Sequence, residues 1–116
     1  MALGTEALKA FTSRLGFRGQ FNVETLAATK ACTLQSSQFQ ALDPDGSPRD
    51  VTLPAVTKGD DGYFVFVLNT AGAANALTVK DAAAATVATV AQNKAAVVYV
   101  TAAGAWARLC VLDAVA

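Results

Sequence analysis

From Ala31 onward, apolar and polar residues alternate with a period of two, the pattern of strands that turn one face to a core. Ala31-Cys32-Thr33-Leu34 and Phe39-Gln40-Ala41-Leu42 flank Gln35-Ser36-Ser37, and Phe39 and Ala41 alternate against Gln38 and Gln40. Asp43-Pro44-Asp45-Gly46-Ser47-Pro48 then predicts a turn, because Pro presets φ at one position and Gly permits positive φ at another. Beyond it, Val51 and Leu53 point one way and Asp50 and Thr52 the other; Pro54, lacking an N–H for the ladder, ends that strand. Lys58 to Gly62 forms the next turn and leads into the most apolar stretch, Tyr63 to Leu68, with Phe64, Phe66 and Leu68 on one face and Tyr63, Val65 and Val67 on the other. A strand apolar on both faces is either sandwiched between layers or has one face covered by a partner.

The remaining strands are predicted around Leu77 and Val79, at Thr86 to Val90, at Ala96 to Val100 and at Ala105 to Val111, with turns at 81–85, 92–94 and 102–104. Residues 81–91 carry two opposed signals. Their alanines favour a helix, whereas Val79, Val87 and Val90 among threonines favour a hairpin, and the neighbouring β pattern decides for the hairpin. Trp106, Arg108 and Cys110 fall on one face of the last strand, where Trp106 either packs a barrel end or sits at an interface. Short strands at this spacing predict a mainly β domain: a small antiparallel β-sandwich or barrel, of jelly-roll or β-tulip type.

The N-terminal stretch has a different period. Over residues 5–15, Thr5 can cap a helix, Leu8, Phe11 and Leu15 share a face, and Gly16 suits its end. Such a helix is too short to stand alone. Lys9, Arg14 and Arg18 against Glu6 make the segment basic, and Phe17 and Phe21 follow it in LGFRGQF. The chain therefore divides into an N-terminal helical arm, residues 1–22, and a β domain, residues 23–116. The arm packs either on its own domain or on a neighbouring subunit; for the second case the contact residues are Leu8, Phe11, Arg14, Leu15, Phe17, Arg18 and Phe21.

Composition narrows the chemistry. Nine basic residues balance nine acidic ones, which removes the global positive field that binding to nucleic acid requires. Apolar runs fall short of a membrane span, and Glu6 and Lys9 lie where a signal peptide would need an apolar core, so the expectation is a soluble protein made in the cytoplasm. The sequence has no His, the commonest general base. Cys32 and Cys110 match no zinc spacing and are expected as two buried thiols, with a bridge between their strands as the other possibility. Asp43, Asp45 and Gly46 resemble the start of a calcium loop but lack its closing Glu, and the carboxylates Asp43, Asp45, Asp60 and Asp61 lie in turns. No enzyme activity, metal or cofactor is expected.

The stretches LDPDGSPRDVTLPA (42–55), GYFVFVLNT (62–70), ALTVKD (76–81), QN (92–93) and AWARL (105–109), in this order, resemble small β-rich proteins encoded beside capsid and tail-fibre genes of tailed bacteriophages. The similarity covers about residues 33 to 110. Relatives usually carry Gly in the turn after Val-Lys-Asp, where this chain has Ala82 to Ala85. The resemblance implies a head decoration (cement) protein, a homotrimer on the outer capsid surface of the virion that clamps neighbouring major capsid subunits. A trimeric tail-fibre or spike module contacting a host surface is the alternative it implies.

Overall fold

The structure is a computed structural model and describes residues 21–113. Within them, nine strands form two sheets: β1 (Phe21–Thr25), β2 (Lys30–Ala31), β3 (Phe39–Asp43), β4 (Arg49–Thr52), β5 (Phe64–Asn69), β6 (Leu77–Lys80), β7 (Thr86–Val90), β8 (Lys94–Val100) and β9 (Trp106–Asp113). The larger sheet has the order β1-β3-β5-β8-β9 and the smaller one β2-β4-β6-β7. The expected mainly β, two-sheet architecture is present, without a closed barrel. The helical arm, with Leu8, Phe11, Arg14, Leu15, Phe17 and Arg18, lies outside the described residues.

Strand direction departs from the antiparallel meander. The chain alternates between sheets: β1, β3 and β5 are laid parallel in the larger sheet, and β2 with β4 and β4 with β6 parallel in the smaller. Three two-strand rungs are thus wound one on the next. The segments around Gln35-Ser36-Ser37 are accordingly not a hairpin, since β2 and β3 belong to different sheets. Winding stops at the β6–β7 hairpin, after which β8 runs antiparallel to β5, and β9 to β8. Phe21 and Asn22, assigned to the arm by sequence, are the first residues of β1.

The rungs are in register through a column of aromatic rings. Phe21 pairs with Phe39 and Phe39 with Phe66, and the rings stack at centroid distances of 4.4 and 5.4 Å. Between the sheets, Leu42, Val51, Leu53, Val65, Val67, Leu77, Val79, Val90, Ala96 and Val98 form the core. Val and Leu dominate, because branched side chains fill the space between two sheets about 10 Å apart. Gln40, whose neighbours Phe39 and Ala41 suggested an outward polar position, faces inward: its amide donates to Ser37 O at 2.7 Å and its Oε1 accepts from Asn22 at 2.8 Å.

Asn69, the last residue of β5, is fully buried and fully used. Its Nδ2 donates to Asn75 O at 2.8 Å and Val90 O at 2.9 Å, and its Oδ1 accepts from Ala71 N at 2.9 Å. One amide therefore closes the crossover from β5 to β6 and fastens it to the end of β7. Residues 81–85 make the expected hairpin turn, with Asp81 N donating to Ala85 O and Asp81 Oδ1 accepting from Ala83 N and Ala85 N. Ala84 takes φ 68°, the left-handed conformation that Gly adopts more readily than Ala.

Candidate interaction surface

Inward residues of the larger sheet leave its alternate residues on the outer face, and these are apolar as well. Along β5, Val65, Val67 and Asn69 are buried while Phe64, Phe66 and Leu68 are half-buried on the other side. The strand register sets this face out in rows: Phe21, Phe39, Phe66, Val97 and Cys110 make one, and Val23, Ala41, Leu68, Ala95 and Leu112 the next. The rows end in exposed side chains, with Phe21 at 56% and Val23 at 71% exposure on β1, and Leu112 at 46% on β9. Exposure is confined to the ends of the rows: within them Ala41, Val97 and Ala95 are buried.

Between β5, β8 and β9 the face dips into a groove of about 520 Å³ lined by Gly62, Phe64, Phe66, Val97, Tyr99, Leu109, Cys110 and Leu112. A bulge creates part of it. Val98 pairs with Arg108 and Val97 with Cys110, so Leu109 is the additional residue and the alternation of β9 flips there. Cys110 therefore lies opposite to Trp106 and Arg108, not on their shared face: the period-two reading failed at a one-residue insertion. Trp106 packs against the core instead, edge-on to Tyr63 at 6.1 Å, with Nε1 donating to Pro54 O at 2.9 Å.

The two cysteines are free and occupy different surroundings, Cys32 buried and Cys110 half-buried in the groove. Burial pushes the Cys32 thiol above its ordinary value, and the Tyr63 hydroxyl is raised chiefly by burial too. At the outer rung, Lys30 Nζ lies 2.7 Å from Glu24 Oε1; this hydrogen bond, with a second from Asn22, holds the Glu24 carboxyl below its usual range.

The acidic turn residues shape backbone. Asp43 Oδ1 accepts from Asp45 N at 2.8 Å, Asp45 and Gly46 take φ 54° and 84°, and Asp60 Oδ2 accepts from Thr57 N at 2.9 Å in a capping box. Among the described residues, no three His, Cys, Asp or Glu side chains cluster as a metal site, and no helix is long and apolar enough to cross a membrane. Of the arm residues singled out by sequence, Phe21 is placed at the rim of the apolar face. The groove residues Val97, Tyr99, Leu109 and Leu112 were not singled out as a site; the signal was the doubly apolar run in β5 together with the apolar alternate positions of β8. No family model, curated protein or solved structure matches the chain.

Proposed function

We propose that the protein is a decoration (cement) protein of a tailed-bacteriophage head, bound as a homotrimer to the outer capsid surface, where it stabilises contacts between major capsid subunits. The observation that carries the reading is the free edge of the larger sheet. Among the described residues β1 is paired on one side only, and it bears Phe21 and Val23 outward at 56% and 71% exposure. Natural edge strands are usually blunted by charge, proline or a bulge. An edge left apolar, in a chain of zero net charge, suits a subunit that finishes its surface against neighbours. The motifs behind the resemblance also fall on defined elements: 42–55 spans the β3–β4 crossover, 62–70 holds β5 and 76–81 holds β6.

Decoration acts through binding alone. Surface buried across a lattice junction is lost when the shell opens, so each bound subunit adds stability by mass action. The arm extends this contact, with Leu8, Phe11, Leu15 and Phe17 offering apolar surface and Arg14 and Arg18 charge to an adjacent capsid or decoration subunit.

The test mixes the purified protein with expanded, undecorated phage heads and measures cosedimentation and the temperature at which the shells release DNA. Saturable binding with a raised release temperature is expected. Absence of binding by folded protein refutes the proposal, and adhesion to host cells or their polysaccharide without heads favours the fibre module. Sedimentation equilibrium of the free protein checks for three copies of the 11.9-kDa chain.

A further inference from the structure

We propose that Asp45-Gly46, in the crossover between β3 and β4, is a site of spontaneous backbone modification, where aspartate converts to isoaspartate, and that the fold protects the identical dipeptide Asp61-Gly62. The proposal does not depend on the head-decoration reading.

The chemistry needs only the chain and water. With the Asp45 carboxyl protonated, the Gly46 amide nitrogen attacks the side-chain carboxyl carbon; a C–N bond forms, and the carboxyl hydroxyl leaves with the amide proton as water. Water then adds to one of the carbonyls of the cyclic imide. Opening at the side-chain carbonyl restores aspartate, whereas opening at the main-chain carbonyl leaves isoaspartate, with the main chain one carbon longer. One water is released and one consumed, and nothing is oxidised or reduced.

The sequence limits where this happens. The attacking group is the N–H of the following residue, and a Cβ on that residue crowds the approach. Of the seven Asp residues only Asp45 and Asp61 precede Gly, and no Asn does. Asp43 is excluded outright, since Pro44 has no N–H.

The fold separates the two candidates. Both dipeptides are exposed, and an added Cβ at either Gly meets nothing within 4 Å, so access alone does not distinguish them. They differ at the attacking nitrogen. Gly62 N donates to Val100 O at 2.9 Å, and its surroundings are tied as well: Asp61 N donates to Lys58 O at 3.3 Å, Tyr63 N to Asp60 O at 3.1 Å and Val100 N to Tyr63 O at 2.8 Å. Turning the Gly62 amide onto the Asp61 carboxyl carbon breaks the first of these bonds and pulls on the others. Gly46 N has no acceptor among the described residues, and within its dipeptide only Asp45 N is held, by Asp43 Oδ1 at 2.8 Å. Asp45 also sits at φ 54°, which an L residue occupies at a cost, so rotation away from it is favoured.

The test incubates the full-length protein in heavy-oxygen water at mildly acidic pH, returns it to ordinary water, and digests it. Each Asp-Gly peptide is scored by mass for the oxygen label that imide opening introduces, and by fragmentation for isoaspartate. In the folded protein Asp45 is expected to react at least about fivefold faster than Asp61, the factor carried by one net backbone hydrogen bond. In guanidinium chloride, where the Val100 acceptor is lost, the two rates should converge. Equal rates in the folded protein overturn the proposal, and so does a ratio that unfolding leaves unchanged, since the difference would then lie in the neighbouring residues and not in the fold.

Discussion

Replacing Gly104 by Ala separates backbone strain from steric contact at the turn between β8 and β9. Gly104 has φ 83°, and a Cβ placed there would lie 2.6 Å from Lys58 N and 2.7 Å from Thr57 C. Gly46 and Gly62 have nearly the same φ, 84° and 83°, but a Cβ at either would have nothing within 4 Å. In all three, Ala meets the left-handed penalty of about 1–2 kcal/mol, offset by about 0.4–1 kcal/mol from a stiffer unfolded chain. Gly46→Ala and Gly62→Ala should therefore each cost about 0.5–1 kcal/mol. At Gly104 the colliding atoms are backbone, which cannot rotate away, and overpacking adds about 1–3 kcal/mol. Gly104→Ala should cost about 2–4 kcal/mol. Urea unfolding followed by Trp106 fluorescence measures all three, and thermal midpoints should fall by about 4 °C per kcal/mol for a domain near this size. A Gly104→Ala cost within about 0.5 kcal/mol of the two controls would refute the close approach of the β8–β9 turn to residues 57–58.

Asn69→Ala removes three hydrogen bonds from a fully buried amide and strands Val90 O, Asn75 O and Ala71 N. A loss of about 3 kcal/mol in urea unfolding is expected, whereas Asn22→Ala, which strands only the buried Gln40 Oε1, should cost about 1–2 kcal/mol. Ala84→Gly relieves the left-handed strain of the β6–β7 turn at the expense of unfolded-state entropy, so it should be neutral to stabilising by up to about 1 kcal/mol; a loss above about 1 kcal/mol would contradict the conformation assigned to that turn. Glu24 is held below its ordinary carboxyl value of 4.5 in the folded chain, so its contribution is present above that value and is lost as pH falls through the folded value. The pair with Lys30 is partly exposed, so the effect is small: Glu24→Gln should flatten the acid limb of the stability profile slightly and leave stability at pH 7 almost unchanged. Cys32, buried and with its thiol raised, should resist maleimide at pH 8 until the protein unfolds.

Much of the strand content was legible because apolar and polar residues alternate in β4 and β6 and continuous apolar runs mark β5 and β8. Thr86–Val90 was read to the residue, and Val51 with Leu53, and Leu77 with Val79, are buried as their spacing required. Pairing was not legible in the same way. Period two states which side chains share a face but not which strand lies alongside, so a chain that crosses between sheets after every strand reads like a meander. A repeat was present in Phe21, Phe39 and Phe66, each opening or occupying an equivalent rung position, but the unequal distances between them, set by the longer β4–β5 connection, concealed it. Gln40 misled because a buried amide satisfied by Asn22 and Ser37 looks, in sequence, like a solvated one. Cys110 misled because a bulge leaves no compositional mark when the inserted residue is another Leu.

Winding the first three rungs in parallel makes the body extensible in a way that a hairpin-linked sandwich is not. Among the described residues each rung packs on its neighbours, and β1 is the outermost strand of the larger sheet, with its Phe21 ring in the same column as Phe39. Residues 21–38 comprise one full turn of the winding, from the start of β1 to the residue before β3. A tandem copy of that segment would add one strand to each sheet and lengthen the stack by about 4.8 Å, with every side chain of the lower rungs left in place. Among the described residues, the body is thus a short length of a potentially longer object, closed by a hairpin after β6.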